Sequence, residues 1–115
     1  MTIEELTHKL YICYSKELCY PKIRNNWNEN NKFLGMCAIT ALIVNDYFGG
    51  DICKMYVNGI SHYFNLIDDK IVDLTSKQFE NEIKYIDYEI VKRVNMITED
   101  TNHRYNLFKN KLQNA

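Results

Sequence analysis

No apolar run in this chain approaches the roughly 20 residues that a membrane-spanning helix requires. There is no Cys-x-x-Cys pair, although cysteine occurs at positions 13, 19, 37 and 53. The separations of 6, 18 and 16 residues match no common zinc-finger spacing. There is no excess of positive charge either. The 14 Lys and Arg stand against 15 Asp and Glu, for a formal net charge of −1. A nucleic-acid or anionic-membrane binder would carry a basic stripe, and none is visible. The first residues, Met1-Thr2-Ile3-Glu4-Glu5, are acidic and lack the basic and apolar regions of a secretory signal. Repeats, low-complexity tails and linkers are also missing. These absences predict a single domain over residues 1–115, in the cytoplasm, with reduced thiols and no cofactor, nucleic acid or membrane partner. A hydrophobic content of 46% and a charged content of 25% suit one modest core.

The patterns that are present suggest alternating helices and strands. Thr2-Ile3-Glu4-Glu5 fits a capping box. Leu6, Leu10 and Cys13 or Tyr14 recur at helical spacing and predict a first helix over residues 3–18. Pro21 ends or restarts it. Asn25 to Lys32, which carries the only tryptophan, Trp27, reads as an Asn-rich loop. Residues 37–48 predict an almost fully buried helix, stopped by Gly49-Gly50. Residues 52–57, 61–67 and 71–74 predict three strands, joined by tight turns at Asn58-Gly59 and Asp68-Asp69-Lys70. Thr75 or Ser76 is expected to cap a short helix through Ile83. Residues 85–94 read as a strand or extended segment, and Thr101 is expected to start the last helix. The order predicts an α+β fold in two layers, with a central buried helix packed on a small antiparallel sheet.

Three residues in this order carry chemistry. Gly35-Met36-Cys37-Ala38-Ile39 puts a thiol at the start of the central helix. Ile60-Ser61-His62-Tyr63-Phe64-Asn65 puts an imidazole in an aromatic strand, and Ile71-Val72-Asp73-Leu74 puts a carboxylate at the end of the next. A thiol attacks as its thiolate, a form that helix N-termini and imidazole partners favour. The imidazole needs an acceptor to fix its tautomer, and Asp73 can supply one. If the second turn centres near residues 68–69, Asp73 falls opposite about residue 64. It then lies within one diagonal step of His62, near the ~7–8 Å cross-strand diagonal. This predicts a Cys37–His62–Asp73 triad for acyl transfer or amide and peptide hydrolysis through a thioester. The substrate class is left open among small molecules, peptides and proteins.

The run Gly35 to Ile52, followed by Val57-Asn58-Gly59, Ser61-His62-Tyr63-Phe64-Asn65 and Val72 to Phe79, resembles the YunG-like family of small bacterial proteins. Arg104-Tyr105-Asn106-Leu107-Phe108 resembles that family's final helix. The resemblance covers about Trp27 to Phe79 and implies a fold more than an activity. Two positions depart from the family pattern. Met36 stands where members usually carry Gln, and Phe64 where they usually carry Trp. A Gln before the cysteine can donate to an oxyanion, whereas Met36 cannot. An oxyanion would then use the Cys37 backbone N–H with a second donor such as Trp27 or Asn28. Tyr63 and Asn65 are further candidates for the substrate side. More distantly, the Cys–His–Asp order on helix, strand and strand resembles the papain-like and transglutaminase core. That superfamily includes amide hydrolases, transglutaminases and arylamine acetyltransferases.

Each residue also has an ordinary reading. Cys37 can be a small buried hydrophobe, His62 a satisfied core histidine, and Asp73 a turn or cap residue. Asn65 can orient His62 or bond the sheet, and Trp27 can cover a core edge. Cys, His and Asp are acceptable zinc ligands, but no Cys-x-x-Cys or His-x-x-x-His spacing supports a metal, and none is expected. His8 and His103 read as exposed helix residues, and Glu80, Glu82, Glu99 and Asp100 as solvated faces. A non-catalytic binding module on an enzyme-like core is the competing function, favoured by Met36 and by the small size.

Overall fold

Two turns with positive φ at both central residues set the strand pairing. Asn58 and Gly59 have φ of 52° and 79°, and Asp68 and Asp69 have 50° and 63°. Such turns match the right-handed twist of antiparallel strands. In the computed structural model, which describes residues 1–115, they join β1 (Asp51–Val57), β2 (Ile60–Ile67) and β3 (Lys70–Val72). Val57 pairs with Ile60 across the first turn, and Ile67 with Lys70 across the second. A fourth strand, β4 (Glu89–Val91), pairs with the other edge of β1, so the antiparallel order is β3-β2-β1-β4.

The helices lie on one face of this sheet. They are α1 (Ile3–Cys13), α2 (Cys37–Phe48), the single turn α3 (Arg93–Met96) and α4 (Glu99–Gln113). Helix α2 is buried from Ile39 to Val44 and ends at Gly49, whose φ of 70° releases the chain from the helix. Its neighbours in the main core include Leu6, Leu10, Leu18, Ile52 and Phe108, with Tyr63 and Ile67 packed against them. The fold is therefore α+β, with a central buried helix packed on an antiparallel sheet. No helix is long and apolar enough to cross a membrane.

The second face has its own small core of Cys53, Met55 and Phe64, covered by Ile83 and Tyr85. This cover departs from the expected helix through Ile83. Only Ser76–Gln78 form a 3₁₀ turn, and the chain then runs irregularly to β4. Aromatic packing explains the difference. Tyr85 and Tyr88 meet the Phe64 ring at 5.0 and 5.3 Å, and Phe79 meets the His62 ring at 5.0 Å. One helix would not bring all three rings onto the sheet.

Two other boundaries differ. α1 stops at Cys13, not at residue 18, because Tyr14 turns extended to bond Thr40 in the core (Oη to Oγ1, 2.8 Å). α4 starts at Glu99, two residues before the expected Thr101. Thr98 is its N-cap, and its Oγ1 accepts the Thr101 N–H at 3.1 Å.

Gly35 holds the entry to α2. Its φ is 74°, and a Cβ there would strike the Cys19 Sγ and lie 2.8 Å from the Tyr20 backbone nitrogen. Gly35→Ala is expected to lower the unfolding free energy by about 2 kcal/mol or more. Urea denaturation measures this, and an unchanged midpoint would mean that the segment relaxes freely.

Candidate active site

β3 pairs only with Asn65, Leu66 and Ile67, so the start of β2 has no strand beside it on that edge. His62 sits on this open stretch, and the chain after Val72 folds in to meet it. His62 Nε2 donates to Asp73 Oδ2 at 2.6 Å, and the two side chains are only 1% and 4% exposed. A carboxylate can only accept, so the proton lies on Nε2 and leaves Nδ1 as the basic atom of the neutral ring. Nδ1 is enclosed and makes no hydrogen bond.

Asp73 is itself held by four donors. Its Oδ2 also accepts the Tyr85 hydroxyl at 2.7 Å. Its Oδ1 accepts the Thr75 backbone N–H at 3.1 Å and the Thr75 hydroxyl at 3.4 Å. One oxygen thus builds the turn and the other serves the ring, so the two sequence readings of Asp73 coexist. Behind Thr75, Gln78 donates to its hydroxyl at 3.3 Å, and Asn31 donates to the Gln78 carbonyl at 3.0 Å.

Burial alone would push the His62 pKa down. Hydrogen bonding to Asp73, its charge and the nearness of Cys37 outweigh it and raise the value from 6.5 to about 9. No bond from Cys37 to His62 is closed by strict geometry, because Nδ1 stands unpartnered. Cys37 acts on the ring without a closed hydrogen bond to Nδ1. Asp73 already occupies the other ring nitrogen.

Cys37 is the first residue of α2 and is half-buried. The first helical bond runs from Thr40 N–H to Met36 O. The N–H groups of Cys37, Ala38 and Ile39 therefore have no backbone partner, as expected of a helix start. Met36 is fully buried, and its side chain caps nothing. Cys37 opens into a cavity of about 640 Å³ that is also lined by Tyr20, Tyr63, Gln78, Asp100 and Arg104.

The other residues singled out from the sequence are placed differently. Tyr63 lines this cavity. Trp27 donates its indole N–H to the Lys32 carbonyl at 3.0 Å and packs against the core edge. Asn28 spends its side chain on Asn26 and Asn30 within an exposed turn. Asn65 donates to the Ala41 carbonyl at 3.0 Å and so ties β2 to α2. As second oxyanion donors, Trp27 and Asn28 are not favoured: the Trp27 indole N–H is bonded to the Lys32 carbonyl, and neither residue lines the cavity into which Cys37 opens. Asp100 is not a merely solvated acid, since it pairs with Arg104 at 2.9 Å. No three of the His, Cys, Asp and Glu side chains converge in a way that could hold a metal ion. The sequence offers Thr75 only as a helix cap and gives no site role to Tyr85 or Gln78. They reach the site through an irregular segment, and no spacing rule links a tyrosine to a carboxylate twelve positions earlier.

Two outcomes are expected. The folded His62 pKa lies above its ordinary value, so the stability this group contributes is fully present below about pH 6.5 and is lost as pH rises through about 9. NMR titration of the His62 ring should show the inflection near 9, and Asp73→Asn should move it down. An inflection near 6.5 in the wild type would contradict the pairing. Tyr85→Phe removes one donor to a carboxylate and should cost about 1.5–3 kcal/mol in urea denaturation. A loss below about 0.5 kcal/mol would mean that Tyr85 contributes nothing there.

Comparison with known proteins gives the family. Residues 2–115 match the family described as YunG protein. The Bacillus subtilis (strain 168) protein described as "Uncharacterized protein YunG" is 39% identical over 61 residues, which make up 53% of this chain and 53% of that protein. The match thus spans about half the length of that curated relative. No solved structure matches. With nearly all of its residues matched by the family pattern, the chain belongs to the YunG protein family.

Proposed function

We propose that this protein is a small cysteine-dependent enzyme that transfers or hydrolyses an acyl group through a thioester. The observation that carries the reading is the His62 ring, bound to Asp73 through Nε2 at 2.6 Å and influenced by Cys37. In the proposed cycle the Cys37 proton rests on His62 Nδ1, as the raised pKa of the ring favours, and the sulfur attacks the acyl carbon. The bond from the acyl carbon to its amine or other leaving group then breaks, and His62 returns the proton to that group. Water or a second acceptor attacks the thioester and gives its proton to His62, the bond from the acyl carbon to sulfur breaks, and the starting Cys37–His62 pair is restored. Asp73 holds the tautomer and balances the imidazolium.

Charge developing on the acyl oxygen would be met by the Cys37 N–H at the helix start. Gln78 is the second donor we favour. Gln78 lines the Cys37 cavity, and only one of its two side-chain N–H groups is drawn to Thr75. This answers the absence of a donor at Met36. The resemblance to the papain-like and transglutaminase core supports the same chemistry by analogy. The four unpaired cysteines suit a reducing compartment such as the cytoplasm. Buried Met36 is the observation that favours the competing reading, a binding module in which Cys37 is dispensable.

Incubation with para-nitrophenyl acetate tests the proposal. The wild type should gain one acetyl group on Cys37, removable by hydroxylamine, as read by mass spectrometry. Cys37→Ser should not gain it, and His62→Ala should acylate at least about 100-fold more slowly. Acylation spread over other residues, or equal rates in His62→Ala, would favour the binding module.

A further inference from the structure

Arg104 is the largest fully buried side chain in the molecule, at 1% exposure. Its Nε donates to Asp100 Oδ2 at 2.9 Å and its Nη1 to the Leu18 carbonyl at 3.0 Å. The guanidinium carbon lies 5.7 Å from the centre of the Tyr20 ring. These contacts staple α4 to the loop after α1, and Nη2 takes part in none of them. The only enclosed side-chain atoms without a partner are Asn31 Oδ1 and His62 Nδ1, so Nη2 is not sealed inside the protein. Arg104, Asp100 and Tyr20 all line the cavity into which Cys37 opens. Nη2 therefore has no protein partner, and it belongs to a residue that lines the cavity of a candidate nucleophile.

Asp100 presents the matching half. Its Oδ2 is taken by Arg104, its Oδ1 has no partner, and its side chain is 40% exposed. The pair is neutral as a unit and leaves one donor group and one acceptor oxygen without a protein partner. A carboxylate drawn to Nη2 would meet the charge of Oδ1. An ammonium group drawn to Oδ1 would meet the guanidinium. A carboxamide satisfies both, because its carbonyl accepts from Nη2 and its N–H donates to Oδ1. Lys22 is the other charge on this cavity, and it is exposed and screened by solvent.

We infer that Arg104 and Asp100 form a recognition site for an uncharged carboxamide or peptide unit on the molecule whose acyl group Cys37 receives. The inference deepens the thiol-enzyme reading and rests on it for the acyl step. The substrate would then carry an amide beyond the scissile bond, as a peptide or a glutamine- or asparagine-like side chain does. Sites built to pair both partners of a polar group discriminate strongly against analogues that leave one unpaired.

The test uses haloacetyl probes that differ only at the far end. Chloroacetyl-glycinamide and chloroacetyl-diglycinamide are each compared with the free acid in labelling of Cys37. The amide of at least one length should label about tenfold faster than its acid. Asp100→Asn keeps an oxygen for Arg104 Nε but leaves the site net positive, so the preference should swing towards the acid. A selectivity unchanged in Asp100→Asn, with iodoacetamide labelling of Cys37 at the wild-type rate, would overturn the recognition site and leave the thiol reading intact. If Cys37 reacts with iodoacetamide no faster than a free thiol, the thiol reading fails instead. Recognition is then decided without the thiol, by titrating acetyl-diglycinamide and acetyl-diglycine against the Arg104 Nε–H resonance in NMR. A shift with the amide alone supports the site, and no shift, or equal shifts with both, overturns it.

Discussion

A buried imidazole raised to a pKa of about 9 needs a partner that stays charged inside the protein, and Asp73 fills that role. Burial works against charge on the ring, so the contact at 2.6 Å must outweigh desolvation of both groups. It can do so because Asp73 receives three further donors, from Tyr85 and from the backbone and hydroxyl of Thr75. A lone carboxylate at 4% exposure would be costly, whereas one with all its lone pairs engaged is tolerable. The short β3 makes the contact possible. Had β3 continued past Val72, it would have paired with β2 beside His62 and carried Asp73 along the ladder.

The same segment therefore serves stability and site geometry together. Residues 73–88 supply Asp73 to the ring, Thr75 to Asp73, and Phe79, Tyr85 and Tyr88 to the second sheet face. On the other side of the site, α2 is fixed by its own burial, by Asn65 bonding the Ala41 carbonyl, and by the close fit of Gly35 against Cys19 and Tyr20. Cys37 is delivered by a rigid helix and His62 by a paired strand. Asp73 arrives on a turn that its own carboxylate helps to build. Precision at the site thus comes from secondary structure for two members and from side-chain hydrogen bonds for the third.

Much of this was legible from residue pattern alone. The bounds of α2, the two tight turns and the pairing of Asn65 with Val72 follow from apolar runs and turn residues. The neighbourhood of His62 and Asp73 follows from that register. What pattern could not reveal depends on contacts far apart in sequence. Tyr14 leaves the first helix for Thr40, 26 residues away, and the aromatic rings after Gln78 prefer the sheet to a helix. Thr98 and Thr101 are equally good caps on paper, and geometry selects Thr98. Trp27 and Asn28 lie near the site in the chain, but neither lines the cavity at Cys37. Arg104 reads as one more helix charge until its burial against Leu18 and Asp100 is seen.

The proposed dependence of Cys37 on Asp73 through His62 is the point on which the proposed chemistry turns. It is read most directly from the rate of iodoacetamide labelling of Cys37 at about pH 6 in wild type and in Asp73→Asn. Burial pushes the Cys13, Cys19 and Cys53 thiols up, so Cys37 should dominate the signal. If Asp73 holds the imidazole in the form that activates the thiol, the rate falls about tenfold or more in Asp73→Asn while the fold persists. An unchanged rate would remove Asp73 from the site and leave at most a Cys37–His62 pair.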